Sequence, residues 1–440
     1  MLALKLKLGV SRPALSPEVE LFVASTNSNL PYGRYATSSG RRAFVQRTNH
    51  KLGFRAPYIQ LCVPGAWFFN SSGGDSSLGN NINWDKLSVE VGGAYATAKF
   101  NGGRAFAAAD DDWYYSQPIY YSELGGSGDF LRNTTIQIRG QGNVSQVGHY
   151  LTEGSAAYTG ADAASNAARC WLYDPDTVSV DPVDGTGPIA NPSGGSQKFF
   201  AVPAFIVAPN PDGTLVLAGI GDSIPYGIND NTFGGQSEFG GYGWARAAVG
   251  TGNPYAYLSM ACPSELALQF LTGSLSARRQ KFLKMCNGAV INYGTNDYGF
   301  TGTGLVAAVQ AAVMGVVDLV ADKLSGASKI ILCPLLCSTS STSGNYTSKA
   351  DQTVKSGWNA GENRDVINSY FASQVGTKVF ALADTLTQVS DPTDNHYWLT
   401  NGTNAYGTGD GGHPRQATYT LAAANAIRPA IQAMEAAHYS

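Results

Sequence analysis

The segment Leu215–Gly227, LVLAGIGDSIPYG, combines a strand pattern with a sharp turn. Its first half is an unbroken run of aliphatic residues and glycine, typical of a parallel strand that is covered on both faces. The run ends at Gly221-Asp222-Ser223, three residue types that favour tight turns. Ligands of open α/β sheets bind outside the carboxyl ends of the strands, so we expect the Ser223 hydroxyl to be presented to a substrate. Ser223 is therefore a candidate nucleophile, although Gly-Asp-Ser alone also makes ordinary turns.

The chain after Gly227 alternates strand patterns with helix patterns. Helices are predicted at 241–249, 263–271, 277–285, 305–324, 354–373 and 415–437. Strands are predicted between them at 255–260, 289–293, 329–336 and 378–383. Such alternation predicts an α/β fold, in which a parallel sheet is covered by helices on both faces.

The first half of the chain has a different pattern, with short apolar or aromatic runs separated by glycine and asparagine turns from Met1 to about Phe205. This spacing predicts an antiparallel sandwich of the jelly-roll kind. A chain of 440 residues favours two domains. We place the boundary at the turn-rich segment 209–213, which gives a β-sandwich domain at 1–209, for carbohydrate binding or an accessory role, and an α/β domain at 210–440.

Aromatic clusters in the first half have two interpretations. Flat aromatic faces stack on sugar rings, but aromatic residues also dominate β cores, and core packing is the more frequent use. The clusters are Trp67-Phe68-Phe69, Trp113-Tyr114-Tyr115 and Tyr120-Tyr121. The acidic run Asp110-Asp111-Asp112 is interpreted as a solvated turn, because calcium needs six to eight oxygen ligands and no spaced loop motif supplies them.

Composition argues against several classes of partner. Charged residues make up only 14% of the chain, the net charge is −3 and no long basic run occurs, so nucleic acid and anionic membranes are not expected partners. The six cysteines lack CxxC spacing, which favours buried thiols over a zinc site or a disulfide framework. The apolar window 305–324 contains charged residues and is interpreted as a core helix. The N-terminal segment 1–13 is interpreted as a strand and not as a signal peptide.

Two further polar groups follow predicted strands or precede the last helix. Asn296, in Gly294-Thr295-Asn296-Asp297, lies at a strand end, where its amide could donate to a developing oxyanion. His413, in Asp410-Gly411-Gly412-His413-Pro414, could take the serine proton if Asp410 curls back to orient its ring. A turn asparagine is the simpler interpretation of Asn296.

The other histidines are weaker candidates. His396 is a competing base, but it lacks a following proline and helix and is better interpreted as a loop or site-wall residue. His50 and His149 stand alone in the first half, where an isolated histidine is more often hydrogen-bonded or on the surface than catalytic.

These blocks, in this order, resemble the SGNH (GDSL-type) hydrolase family over about residues 215–440. The resemblance implies a flavodoxin-like three-layer α/β/α fold and a serine esterase without metal or cofactor. Carried over, Ser223 would be the nucleophile, His413 the base and Asp410 its partner, with Asp222 and Gly294 in support. Asn296 and the backbone amides of Ser223 and Ala261 would be the oxyanion donors, with Ala261 standing where the family has glycine. The first half matches no motif, and only its β character is similar to the jelly-roll modules of some carbohydrate esterases.

The leading functional hypothesis is removal of O-acetyl groups from a polysaccharide. The alternative is a glycan-binding or virion protein, such as a phage tail or spike component, that uses this fold for surface recognition. A short-chain lipase ranks third, because the loop 338–348 is polar and would make a poor apolar lid. An oligomer is possible in each case, and the location could be virion-associated, non-classically exported or cytoplasmic.

Overall fold

A computed structural model describes residues 19–438. It leaves out 39–40, 71–73, 111–112, 153–168, 177–182, 194, 199–201, 231–238, 251, 300–301, 303 and 327–328 within that range. The strand predicted at 1–13 and two of the three residues of the acidic run, Asp111 and Asp112, lie outside the described residues.

A six-stranded sheet organises the second half, and all its neighbouring strands are parallel. Across the sheet the strands are Ser28–Asn29, Ala256–Ser259, Val216–Gly221, Gly288–Asn292, Lys329–Leu332 and Ala381–Leu382. The last five have the order 2-1-3-4-5 in the chain, which is the flavodoxin-like order. The chain leaves Val216–Gly221 in one direction and later returns on its other side, so the carboxyl end of this strand is a topological switch point.

Helices cover both faces of this sheet. Along Val216–Gly221, Val216, Ala218 and Ile220 pack in a cluster that includes the helix Val306–Lys323. Leu215 and Leu217 face the opposite way, into a cluster that includes the C-terminal helices. Because side chains alternate along a strand, an unbroken apolar run is what a strand between two helical layers requires.

Six other helices correspond to predicted ones and differ from them mainly at their ends: Ala245–Val249, Ala267–Leu271, Gly273–Lys281, Asn363–Ser373, Gln416–Ala422 and Arg428–His438. Three short helices lie where none is predicted: Ser223–Tyr226, Thr295–Tyr298 and Thr385–Val389. The helix predicted from 354 is wrong over its first turns, because Gln352–Val354 pairs with Thr339–Ser341 in a hairpin. The single helix predicted at 415–437 contains a π-helical turn, Ala423–Ile427.

The first half is built from antiparallel sheets. A four-stranded sheet joins Phe22–Val23, Phe205–Ala208, Gln60–Pro64 and Trp113–Tyr115. A seven-stranded sheet joins Phe106–Ala108, Ile82–Val91, Thr135–Asn143, Ala43–Lys51, Arg169–Tyr173 and Ser196–Lys198, with Ala94–Thr97 pairing on Ile82–Val91. Two-stranded pairs join Arg34–Ala36 to Tyr150–Thr152 and Trp67–Asn70 to Gly74–Ser77. Between 19 and 208 the described residues form no α-helix, only a 3-10 turn at Tyr121–Leu124. The jelly-roll order stays a prediction.

Packing and strand pairing both cross the predicted boundary at 209–213. Ser28–Asn29, from the first half, forms an edge of the parallel sheet. Phe282, from the second half, is fully buried against the rings of Trp67, Trp113 and Phe205, at centroid distances of 6.1, 4.9 and 6.2 Å. The two halves therefore share a hydrophobic core, while the domain boundary itself stays a prediction.

Several other features of the first half now have a structural place. Trp67, Phe68 and Phe69 are buried, so this cluster packs in the core and presents no face to a sugar ring. Asp110 forms an ion pair with Arg278. All six cysteine side chains are buried, and no disulfide joins them. Among the described residues there is no group of ligands that could hold a metal ion, and no helix combines the length and the apolar character needed to cross a bilayer.

Candidate active site

Ser223 is the first residue of the helix Ser223–Tyr226, directly after the central strand. Gly221 makes this sharp turn possible, since its φ is +151° and a Cβ there would lie 2.2 Å from the carbonyl oxygen of Asn292. The Ser223 residue is only 6% exposed, less than the sequence suggested, because the loop that carries His413 lies against it. The serine therefore lies at the switch point of the sheet, directly after the carboxyl end of the strand Val216–Gly221.

Three side chains form a continuous hydrogen-bonded chain at this point. The Oγ of Ser223 lies 2.8 Å from Nε2 of His413. The Nδ1 of the same ring lies 2.8 Å from Oδ2 of Asp410. The structure thus brings together residues 190 positions apart in the sequence.

The electrostatics of Asp410 fix the direction of these bonds. Partial burial opposes ionisation, but hydrogen bonds from the His413 ring and from the amides of Gly412 and His413 hold the pKa of Asp410 well below its usual value. An ionised carboxylate only accepts hydrogen bonds, so Nδ1 of His413 carries the proton and donates it. In this tautomer the lone pair of Nε2 accepts the hydrogen bond of the Ser223 hydroxyl.

The loop that carries His413 is anchored through Gly411. The carbonyl oxygen of Gly411 accepts from the Thr339 amide at 2.9 Å and from Nε1 of Trp398 at 3.0 Å. Gly411 has a φ of +76°, and a Cβ there would lie 2.0 Å from the Thr339 carbonyl oxygen. The hairpin strand Thr339–Ser341 therefore holds the histidine loop in place and forms a wall beside it.

Asp222, predicted to support the site, caps the helix that begins with Ser223. Its Oδ1 accepts from the Ile224 amide at 2.9 Å. Burial raises the pKa of this carboxyl group to about 7, although that hydrogen bond and the nearby His413 ring act in the opposite direction. Asp222 therefore shapes the turn from inside the protein.

Asn296 lies on the neighbouring strand end. The strand Gly288–Asn292 pairs with Val216–Gly221, and Gly294 then turns the chain into the helix Thr295–Tyr298 with a φ of +111°. Nδ2 of Asn296 donates to the carbonyl oxygen of Glu265 at 3.1 Å. A primary amide has two N–H groups, so this bond orients the side chain and leaves one donor for another acceptor.

The main chain on both sides of Ala261 is hydrogen-bonded to the strand Val216–Gly221. The amides on either side of it, of Met260 and Cys262, donate at 2.8 Å to the carbonyl oxygens of Gly219 and Gly221. Successive N–H groups of an extended chain point to opposite sides, so the Ala261 amide points away from the strand that leads to Ser223. We therefore leave Ala261 out of the proposed oxyanion site.

Three other histidines, His396, His50 and His149, contact groups outside this hydrogen-bonded chain. The ring nitrogens of His396 lie 2.6 Å from Asp394 and 3.2 Å from Asp365, which leaves neither nitrogen available as a base. His50 is buried between two hydroxyl groups, and burial lowers its pKa to about 3. His149 contacts the hydroxyl of Ser145.

Sequence reasoning missed two groups that contact the predicted site residues. Nδ2 of Asn229 donates to Oδ2 of Asp410 at 2.9 Å. Glu265 orients Asn296 through a main-chain carbonyl, a contact that no side-chain motif records. The one available signal for Asn229 was its place two residues after Gly227, in a turn, where asparagine tolerates the positive φ of +66° that it adopts.

Comparisons with known proteins give only distant likenesses. No family model matches the chain, and no curated protein matches it. The chain is similar to a structure described as a GDSL-like lipase from Parabacteroides merdae, with 16% identity, 50% of this chain and 96% of that chain covered, and a TM-score of 0.35. It is also similar to a carbohydrate acetylesterase family member from Sinorhizobium meliloti, with 15% identity, 50% and 100% coverage, and a TM-score of 0.34.

A third likeness spans both halves. The chain is similar to a family two carbohydrate esterase from Clostridium thermocellum, whose structure is in complex with cellohexaose. The identity is 11%, the match covers 96% of this chain and 100% of that chain, and the TM-score is 0.34. These scores and identities are too low to establish a common function, so the proposal below depends on the geometry of this chain.

Proposed function

We propose that this protein is a serine esterase that removes O-acetyl groups from a polysaccharide. The observation that carries the esterase proposal is the hydrogen-bonded chain from Asp410 through His413 to Ser223, with both bonds 2.8 Å long. A hydroxyl, an imidazole in the accepting tautomer and an ionised carboxylate in this order supply a nucleophile, a general base and the group that orients the base.

In the proposed reaction, Oγ of Ser223 attacks the ester carbonyl carbon while Nε2 of His413 takes the hydroxyl proton. The carbonyl oxygen becomes an oxyanion, which accepts hydrogen bonds from the second N–H of Asn296 and from the Ser223 amide. The C–O bond to the sugar then breaks, and His413 returns the proton to the leaving alcohol. His413 then takes a proton from water, whose oxygen attacks the acyl carbon. The bond to Oγ of Ser223 breaks, His413 returns the proton to Oγ, and acetate leaves.

The surroundings of the histidine loop support a polar substrate. The loop between Thr339–Ser341 and Gln352–Val354 consists largely of hydroxyl, amide and glycine residues. Asp351 fixes it by accepting hydrogen bonds from the Ser341 and Ser343 hydroxyls, both at 2.7 Å. A polar wall held in one shape suits a hydrated sugar better than a long acyl chain.

A cleft that is connected to the site through Asn229, and that is not itself lined by Ser223, His413 or Asp410, is large enough for a sugar. It has a volume of about 540 Å³ and includes Asn229, which donates to Asp410. Its other polar lining residues include Asn404, Tyr406 and Arg415. Clefts that hold small ligands measure roughly 300–1,000 Å³ and use a few placed polar groups for orientation.

The test is hydrolysis of p-nitrophenyl acetate and acetate release from a panel of acetylated plant and bacterial polysaccharides. We expect Ser223→Ala to lower kcat by at least about 10³-fold, because the nucleophile is removed. Ser127→Ala, which changes an exposed serine, is the matched control and should retain full activity. Unchanged turnover by the Ser223 variant would refute the mechanism. A preference for octanoate over acetate esters would refute the deacetylase proposal and favour a lipase.

A further inference from the structure

A buried charge network lies behind the proposed oxyanion site. Arg279, in the helix Gly273–Lys281, has a fully buried side chain. Its Nη1 and Nη2 donate to the two carboxylate oxygens of Glu265 at 3.0 and 2.5 Å, a paired geometry that fixes the carboxylate plane. Its Nε donates to Oδ1 of Asp75 at 2.9 Å.

Hydrogen bonds restrain both the carboxylate and the main-chain carbonyl of Glu265. Besides the two bonds from Arg279, its Oε2 accepts from the Tyr293 hydroxyl at 2.5 Å. Its residue is 1% exposed, and Tyr293 is fully buried. The main-chain carbonyl of the same residue accepts the Nδ2 of Asn296. The hydrogen-bonded side chain of Glu265 thus restrains the main-chain carbonyl of the same residue, and this carbonyl orients Asn296.

Asp75 brings the first half of the chain into this network. It lies in the strand Gly74–Ser77 and has a nearly buried side chain, 3% exposed. Its Oδ2 accepts from the amides of Arg278 and Arg279 at 2.8 and 3.1 Å. The Arg279 guanidinium also lies 4.3 Å from the ring centre of Phe69, which is on the strand paired with Gly74–Ser77.

We propose that Glu265 is a positioning residue for Asn296, and that Arg279, Tyr293 and Asp75 act through it. This proposal rests on the esterase mechanism proposed above. A primary amide bound to one fixed carbonyl keeps its second N–H in a constant direction, which is the preorganisation that oxyanion stabilisation needs. Through this network the first half of the chain contributes to positioning Asn296, because Asp75 accepts a hydrogen bond from Arg279 and Arg279 binds Glu265.

The test is a double-mutant cycle that follows kcat and KM for p-nitrophenyl acetate. Glu265→Gln keeps the size of the side chain but weakens its pairing with Arg279. We expect kcat to fall about tenfold with KM within twofold, because misplacing a donor affects mainly the transition state. In an Asn296→Ala background, the same change should alter kcat by less than about twofold, because the group it positions is gone.

A second variant keeps the test decisive if Glu265→Gln does not fold. Tyr293→Phe removes only the hydroxyl that bonds Glu265, and it should lower kcat about threefold, again only when Asn296 is present. Tyr173→Phe, which changes a buried tyrosine in the seven-stranded sheet of the first half, is the matched control and should leave kcat unchanged.

Equal losses with and without Asn296 would overturn the positioning role, as would no loss at all. Full activity of Ser223→Ala or Asn296→Ala would instead overturn the esterase mechanism.

Discussion

The pKa values of Asp410 and Asp222 are shifted in opposite directions, although His413 acts on both carboxyl groups. Asp410 receives hydrogen bonds from His413, Gly412 and Asn229, which favour the charged form. Asp222 is 1% exposed and accepts a hydrogen bond from the Ile224 amide, so burial favours its neutral form. The proposed reaction needs the first property, because an ionised Asp410 stabilises the imidazolium that forms on His413.

The pKa of Asp222 predicts a pH-dependent stability. Its folded pKa of about 7 lies above the ordinary value of 3.8. The protonated Asp222 carboxyl group therefore stabilises the folded state fully below the unfolded pKa of 3.8. This stabilisation is lost as the pH rises through the folded pKa of about 7. Relative to Asp222→Asn, the free energy of unfolding of the native protein should fall by roughly 2–3 kcal/mol between pH 5 and pH 8, measured by urea denaturation. A difference that does not change with pH would show that Asp222 is not buried in this way.

The site residues differ in how well the sequence predicts them. Ser223, His413 and Asp410 lie in short turns whose glycine and proline neighbours mark a strand end or a helix start, so local chemistry reveals them. Glu265 lies in the loop before the helix Ala267–Leu271 and pairs with Arg279 of the helix Gly273–Lys281 only in the folded chain, and neither residue belongs to a local pattern. Interactions between distant side chains depend on tertiary geometry, which a periodicity of apolar residues does not encode.

The junction between the strand Val216–Gly221 and the following helix is the element on which the site depends. The apolar run correctly predicted this strand as a buried parallel strand. The fold also contains elements whose sequences gave weaker signals, such as the hairpin Thr339–Ser341 with Gln352–Val354, since short polar strands are stabilised by their neighbours more than by their own propensity. That hairpin matters because it anchors the histidine loop.

Gly221→Ala tests the strand–helix junction. The new Cβ would lie 2.2 Å from the Asn292 carbonyl oxygen, and the backbone φ of +151° disfavours any side chain. We expect a loss of stability of about 2 kcal/mol or more and a fall in kcat, because the chain must shift Ser223 to relieve the contact. Urea denaturation and p-nitrophenyl acetate hydrolysis measure the two effects.

The control for the junction is Gly273→Ala. An added Cβ at Gly273 would have no atom within 4 Å, and the residue is exposed at the start of a helix. This variant should change stability by less than about 0.5 kcal/mol. If both glycine variants behave alike, the close approach at Gly221 does not determine the position of Ser223.

The two halves of the chain pack as one unit around a common core. The parallel sheet takes an edge strand from the first half, Asp75 bonds Arg279, and aromatic rings of the first half pack against Phe282 of the second. Sequence patterns correctly predicted the parallel sheet with helices in the second half, but they could not predict that this part would share buried surface with the first half. Which apolar faces meet is decided in three dimensions.

Phe282→Ala tests the shared core. The ring is fully buried between residues of both halves, so its removal should lower the free energy of unfolding by about 3–5 kcal/mol. Because the halves are coupled, we expect a single shifted transition in calorimetry. Leu131→Ala, which shortens a side chain that is 63% exposed, should change stability little. Two separate transitions, with only one of them shifted, would show that the halves fold independently.

The identity of the nucleophile can be measured by covalent labelling with a fluorophosphonate, followed by mass spectrometry of the peptides. A serine activated by His413 should displace fluoride from phosphorus and retain one phosphonyl group per chain. We predict that the label lies on Ser223 and that it disappears in the Ser223→Ala variant. A label on a different residue, or ester hydrolysis that continues while Ser223 carries the label, would show that Ser223 is not the nucleophile.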